Sequence, residues 1–454
     1  MFLKKNKTNL FEKIFLFLCV SFLCAGCFLS DSRGRDADEI VIISPHDEDV
    51  RRELQIAFED YTKRKIGRKI SIKWQPARGT GNIMRLLINE KKRWEAGGEV
   101  GIDVFLGGGA APHEKAVRMG ITTPIKLPDF ILEGIPEELG GVRLRHKSGF
   151  WYGVTLSSFG IIFNKEGLRK RGIPPPVSWK DLASPLFEGL IILADPSESG
   201  SARACYEMIL QKFGWEEGWK ILYRILANAG GITHASSEIG KTVSSGQAVA
   251  GMAIDTYGFI QVEKDGEEKV GFVIPEGESA FTPDPVSVIK GTPRKELATL
   301  FVEFLLSDDG QKLWLLKAGE PGGPRRTSLW HFPVKFQVYQ IPEEKKVLHQ
   351  NIFSMAGGLN YDEKKANERA KVISMLFETA GAQNRQRLKD AWKVIQKRPE
   401  GSLQKLFDLP AISEKEAVSL ESVLEDPVKS EEIEEKFYLL FKNRLGEIVR
   451  NSVK

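Results

Sequence analysis

The segment Glu198-Ser199-Gly200-Ser201-Ala202 has the residue types of an anion cradle. It lies between an apolar, strand-like run and the start of a helical one. Successive backbone amides, two hydroxyls and the positive end of a helix can therefore converge on one negatively charged group. Gly200 permits close approach to the backbone. The plainer reading is helix capping, with Ser197 or Ser199 accepting from first-turn amides. Nearer the N-terminus, three loops at strand ends carry similar residues: Ser44 with His46, Gly79 with Thr80, and Gly107 with Gly108 and Gly109. Glycine and threonine there offer donors without side-chain obstruction. Equally, the triple glycine serves as a turn and Thr80 as a helix cap. Asp255 and Tyr257 close a later strand, where they are placed to line an opposite wall, and Tyr257 also suits simple packing.

The residues needed for catalysis are not assembled in the sequence. Gly107-Gly108-Gly109 has a superficial likeness to the oxyanion glycines of esterases, but no G-x-S-x-G elbow accompanies it. There is no H-E-x-x-H zinc helix, and Gly79-Thr80-Gly81 lacks the lysine of a phosphate-binding P-loop. Asp47-Glu48-Asp49 after His46 reads as a charged first helical turn. No enzyme activity and no cofactor are expected. With 65 basic and 61 acidic residues the net charge is only +4, so no basic field points to nucleic acid.

These loops need elements to position them. Ile40 to Ile43 is a continuous β-branched run, as expected of a central strand buried on both faces. Val50, Leu54, Ala57, Phe58 and Tyr61 then mark one helical face. Ile70, Ile72 and Trp74 alternate as a second strand, Ile83, Leu86 and Leu87 begin a second helix, and Ile102 to Leu106 is a third strand. Right-handed crossovers put these strand-end loops on one edge of a sheet, where ligands of open α/β sheets bind. Residues 151–164 carry the chain towards a second α/β region. Its strands are Leu190 to Leu193, Val249 to Ile254 and Val270 to Ile274, with a helix from Cys205 to Phe213. After Pro283-Asp284-Pro285, a strand from Val286 to Ile289 and a helix from Lys295 to Leu306 make the second region an insertion within the first. Beyond His331 the pattern turns helical, with apolar stripes at Leu388, Ala391, Trp392 and Ile395, and at Ile433, Phe437, Leu440 and Phe441, that suit packing on the body. His113 and His349 read as surface residues.

At the N-terminus, Lys4, Lys5 and Lys7 precede an apolar run from Ile14 to Cys24 that ends in Ala25-Gly26-Cys27. The run is shorter than the ~20 residues that span a bilayer comfortably, and the small residues admit a peptidase, which predicts an export signal cut before Cys27. The segment resembles a bacterial lipobox, with Cys24 where that pattern usually has leucine. The resemblance implies diacylglycerol on Cys27, whereas a plain secretory signal would leave Cys27 incidental. After processing, Cys205 is alone, on an apolar helical stretch where a buried small hydrophobe is expected. The expected plan is 1–26 signal peptide, 27–38 tether, 39–156 first lobe, 157–278 second lobe, 279–330 return to the first lobe, and 331–454 helical extension.

Several phrases resemble the type II periplasmic solute-binding proteins of ABC importers, in the branch of iron(III), sugar-phosphate and phosphonate receptors. They are Ser178-Trp179-Lys180-Asp181-Leu182, Pro185-Leu186-Phe187-Glu188-Gly189, Ala194 to Ala202, and Phe301 to Leu306 followed by Ser307-Asp308-Asp309-Gly310-Gln311. The resemblance implies an α/β fold of two lobes joined by hinge strands that close over a ligand, here followed by a mainly helical C-terminal extension. It implies a monomeric receptor whose partners are a small anion, membrane permease subunits and the membrane that holds its lipid. It carries phosphate or synergistic-anion binding to Ser199, Gly200, Ser201 and Ala202, and puts His46 near the ligand. The iron receptors usually show adjacent tyrosines where this chain has Tyr257 between Thr256 and Gly258. A phosphorylated or phosphonate ligand is therefore expected, with iron held by His46, Asp255 and Tyr257 as the alternative. A third possibility is a lipoprotein that senses ligand without transport.

Overall fold

The computed structural model describes residues 38–77, 79–355, 359–397 and 401–451. The expected signal peptide, Cys27 and nearly all of the tether lie outside them. The apolar runs of the first region form β1 (Glu39–Ile43), β2 (Ser71–Gln75) and β3 (Val104–Leu106), with β1 paired in parallel to both of the others. Helices α1 (Glu48–Ile66), α2 (Gly79–Glu95) and α3 (Ala110–Arg118) alternate with them. Successive side chains serve opposite faces. Ile40, Ile42, Val104 and Leu106 pack with α1, while Ile43 and Phe105 pack with Ile83 and Leu87 of α2. Helix α2 begins at Gly79 rather than near Ile83, so the expected turn is its first turn.

After the short β4 (Thr122–Thr123) and a small hairpin of Glu138–Leu139 with Val142–Arg143 come two consecutive strands, β5 (Tyr152–Ser157) and β6 (Phe159–Asn164), separated only by Ser158. Strand β5 belongs to the first sheet and β6 to the second. The second lobe contains β7 (Ile191–Ala194), α4 (Gly200–Phe213), α5 (Trp215–Asn228), β8 (Ala229–Thr233), β9 (Ala250–Ile254), α6 (Asp255–Asp265) and β10 (Val270–Val273). Its sheet order is β8-β7-β9-β6-β10. The chain returns through β11 (Thr282–Ile289), which lies antiparallel between β3 and β5, and then forms α7 (Lys295–Leu306) and α8 (Asp308–Leu315). The second sheet is thus inserted between two stretches of chain that belong to the first.

Strand β11 is longer than expected because it includes Pro283 and Pro285. A register shift between Asp284 and Pro285 accommodates them, as a bulge permits proline inside a sheet.

The C-terminal segment divides between the lobes. Strand β12 (Phe332–Pro333) adds to β5, and apolar residues through Ile352 and Met355 pack in the first core. From Leu359 onward the apolar residues join the second core. They come from α9 (Ala370–Phe377), α10 (Arg385–Lys397), α11 (Ser402–Asp408), α12 (Glu414–Glu421) and α13 (Pro427–Asn451). Both expected stripes face the body: Leu388, Ala391, Trp392, Ile395, Phe437 and Phe441 are buried, and Ile433 and Leu440 pack partly buried beside them.

Polar contacts fix the tail in place. The fully buried Arg369 donates to Glu207 of α4 at 2.6 and 2.9 Å, bonds Glu414, and lies 5.1 Å over the Trp215 ring. Trp392 donates to Asn228 at 2.8 Å and stacks on Phe407. Cys205 lies inside this core with its thiol pushed up by burial. Trp392→Ala is expected to destabilise the protein by about 3–5 kcal/mol, the cost of truncating a buried tryptophan, measured by denaturant unfolding. A loss below 1 kcal/mol would show that the tail is not part of the lobe's core.

Candidate functional site

The first-lobe loops converge as their strand-end positions imply. His46 follows β1, and its ring lies against Gly107: a Cβ added to that glycine would come within 2.6 Å of the imidazole. Thr80, at the start of α2, covers Gly108 in the same way at 3.1 Å. Gly107, Gly108 and Gly109 have φ of 85°, 91° and 80°, a left-handed run that only glycine adopts without strain. The Gly107 amide donates to the Pro285 carbonyl at 2.7 Å and the Gly109 amide to Asp284 at 3.0 Å. The Gly108 amide has no partner among the described residues.

Both ring nitrogens of His46 are engaged within the protein. Nδ1 meets Ser44 Oγ at 2.8 Å and Nε2 meets the Asp284 carboxylate at 3.1 Å. Ser44 and His46 therefore organise the wall, with the buried Ser44 acting through the ring. Burial opposes ionisation of Asp284, but the hydrogen bond and charge of His46, together with the Gly109 amide, hold its carboxyl down at about 2.

Asp284 and His331 are residues that the sequence reading did not select. The signal for Asp284 was its place between two prolines, which read as a break before the strand. His331 lies 6.0 Å from His46 and 5.2 Å from Trp314, ring to ring.

His113 is fully buried rather than on the surface. It stacks on Phe105 at 3.9 Å, with Nδ1 2.6 Å from Ser287 Oγ and Nε2 3.1 Å from the Gly107 carbonyl. Burial pulls it down to about 4, leaving a neutral ring whose Nε2–H donates to the carbonyl and so props the glycine loop. The expected surface position holds for His349, whose side chain is 63% exposed.

In the second lobe, Ser199 caps α4 by accepting from the Ala202 amide at 3.2 Å, and its hydroxyl also meets that of Ser236. The helix-capping reading is thus realised, and it leaves the amides of the first turn at the helix start. Gly200 is exposed, with nothing within 4 Å of an added Cβ, and Ser201 is half-buried beside it. Ser236 follows β8 in a loop whose sequence reads only as small and polar. Tyr257 is 39% exposed on α6, its phenol pushed up by burial and by the Asp47 carboxylate of the first lobe.

Asp255 sits behind that wall, 1% exposed, at the crossing between the sheets. Its carboxylate accepts from the Ser158 amide at 2.6 Å and the Thr256 amide at 2.7 Å, and its own amide donates to the Ser158 carbonyl. His46 and Asp255 are thus occupied in different places. Among the described residues no group of three or more His, Cys, Asp or Glu side chains is gathered as a metal centre requires.

Comparison with known proteins bears on this arrangement. Residues 101–322 match the family of bacterial extracellular solute-binding proteins. The phosphoglycerate transport regulatory protein PgtC of Salmonella typhimurium is 28% identical over 243 residues, which is 53% of this chain and 56% of that protein. The chain thus spans a little over half the length of this curated relative. Among solved structures, the periplasmic binding protein AfuA from Actinobacillus pleuropneumoniae, with fructose-6-phosphate bound, superposes with a TM-score of 0.56 at 20% identity, covering 80% of this chain and 99% of that one. Iron-bound HitA from Pseudomonas aeruginosa gives 0.54 at 17%, covering 74% and 98%. The two lobes have the fold of type II periplasmic binding proteins, as the sequence resemblance implied.

Burial raises the Asp255 carboxyl to about 7 against the amides that hold its charged form. A carboxyl raised from its ordinary value to about 7 favours the folded state below pH 4 and loses that contribution as pH rises to 7, up to about 4 kcal/mol. His113 and His331 are held low and slope the opposite way, so comparison with a variant isolates Asp255. Relative to wild type, Asp255→Asn should become progressively more stable between pH 4 and 7.5 in denaturant titrations. Parallel stability curves would contradict the assignment.

Proposed function

We propose that this chain is the extracytoplasmic receptor of an ABC importer that captures a small organic phosphate between its lobes and presents it to membrane permease subunits. The observation that carries the reading is the start of α4, where the Ser199 and Ser236 hydroxyls meet beside the first-turn amides. Helix-start amides favour an anion with several acceptor oxygens. PgtC is a phosphoglycerate transport regulatory protein and AfuA was solved with fructose-6-phosphate bound, which supports the same class. Ligand would stabilise a closed arrangement of the lobes, and delivery depends on that differential affinity. The iron alternative is disfavoured because Asp255 holds the crossing and His46 has no free ring nitrogen.

A second reading is a lipoprotein that senses the same ligand and regulates its transport, favoured by the similarity to PgtC, a transport regulatory protein. Both readings share the cleft, and the importer reading additionally requires ligand uptake in cells.

Calorimetry with fructose 6-phosphate, phosphoglycerates and ferric citrate tests the ligand class. At least one phosphate ester is expected to bind, and binding of ferric citrate alone would reverse the assignment. Ser201→Asp puts a carboxylate at the helix start, where it suits the dipole and spares the fold. The variant should keep its melting temperature while losing phosphate-ester affinity by more than about 100-fold, several kcal/mol of like-charge repulsion.

We further propose that Cys27 carries the lipid that tethers the receptor to the extracytoplasmic face of a bacterial membrane. Cys27→Ser should release the exported protein from the membrane fraction, and unchanged membrane retention would refute the anchor.

A further inference from the structure

His331 lies just beyond the return to the first lobe, and its two ring nitrogens have unequal surroundings. Nδ1 is 2.5 Å from the Leu329 carbonyl, an oxygen that can only accept, so Nδ1 carries the hydrogen. Nε2 has no partner among the described residues. Burial and the neighbouring His46 hold the ring neutral down to about pH 4. Nε2 therefore presents a bare lone pair, an acceptor that cannot donate.

The ring is fixed rather than free to turn. Trp314 packs 5.2 Å away on one side and His46 6.0 Å away on another, and only 8% of the residue is exposed. The backbone before it is also constrained. Trp330 is the one non-glycine residue with positive φ among the described residues, at 57°, a conformation that persists only where the surroundings enforce it.

His331 lies beside the first-lobe wall: the His46 ring is 6.0 Å away, and the Asp284 carboxylate contacts that ring at 3.1 Å. The charged and titratable groups that face it are His46, Asp284 and Asp47. Asp284 keeps its carboxylate, 17% exposed, beside His46. The corner thus adds two acceptors, His331 Nε2 and the Asp284 carboxylate, to the donating Gly108 amide, in contrast to the amides and hydroxyls at the start of α4. A ligand that is only an anion has nothing to offer such a corner. A solute carrying hydroxyls donates to it while its phosphate meets the helix start.

Resting on the proposed phosphate receptor, we infer that His331 is a specificity-determining residue that accepts a hydrogen bond at Nε2 from a hydroxyl of the bound solute, so that the ligand class is a hydroxyl-bearing organic phosphate. The test compares glycerol 3-phosphate with propyl phosphate, equal in charge and chain length and differing in hydroxyls, by calorimetry on the full chain. Wild type should prefer glycerol 3-phosphate by about tenfold or more, as one hydrogen bond to a fixed acceptor allows. His331→Phe, which keeps a flat apolar ring, should abolish the preference while retaining affinity for propyl phosphate. His331→Gln, whose Oε1 restores an acceptor near the position of Nε2, should recover part of it. If both esters bind and the preference survives in His331→Phe, or was never present in wild type, the inference is overturned and the phosphate receptor stands. If neither ester nor any sugar phosphate binds wild type, the receptor reading itself fails, and the inference with it.

Discussion

Ser158 is the residue on which both lobes turn. Its amide donates to the buried Asp255 carboxylate, its carbonyl accepts from the Asp255 amide, and its hydroxyl donates to the Ala280 carbonyl on the returning segment. One residue thus joins the end of β5 in the first sheet to the start of β6 in the second, and is bonded to both other chain segments that pass there. Ser279 extends the seam by donating to the Phe159 carbonyl at 2.8 Å. Any rotation of one sheet against the other must either preserve these bonds or break several buried ones together. A fully buried network of this kind has a narrow set of satisfactory geometries. It fixes where the two walls of the cleft begin, and so fixes what the loops at the strand ends can reach.

Much of this was readable from residue order. The β-branched run Ile40 to Ile43 predicts a strand covered on both faces, and its residues divide between two cores. The small residues after β1 and β3 mark loops that meet at one edge of the first sheet, because strand direction in a parallel pair carries those ends there. What remained hidden depends on contacts between distant segments. Asp255 looks like a wall residue because it closes a strand, yet only the crossing strands reveal that its carboxylate faces Ser158. Asp284 sits between prolines that ordinarily interrupt a ladder, and a bulge keeps the strand intact. His113 has no sequence signal for burial, since the stacking surface of Phe105 and the Ser287 hydroxyl come from other strands.

His46 shows how a correct location can accompany an unexpected role. It stands at the end of β1, as its spacing implies, but Ser44 and Asp284 occupy both ring nitrogens. The imidazole then acts as a brace, with Asp284 kept ionised on one side and the glycine loop packed beneath it. His113 props that loop from below through the Gly107 carbonyl. The two histidines hold three consecutive left-handed glycines in one conformation, which leaves the Gly108 amide pre-oriented. Preorganised donors cost less to bring to a ligand than donors that must first be ordered.

The C-terminal helices follow from the same constraint. A lobe with only α4 and α5 over one face of its sheet would leave Trp215, Trp219, Tyr223 and Leu226 open to water, and these are the residues the tail buries. Arg369 cannot be buried without its carboxylate partners, so Glu207 and Glu414 locate α9 and α12 against α4 in a single register. Because residues 332–352 pack in the first lobe while the helices after 359 pack in the second, the tail adds another link between bodies already joined at Ser158 and at 274–281. A change in the angle between the sheets must be absorbed in that link as well. The helical extension is therefore part of the second lobe and part of its mechanical coupling to the first, not an appendage on a finished fold.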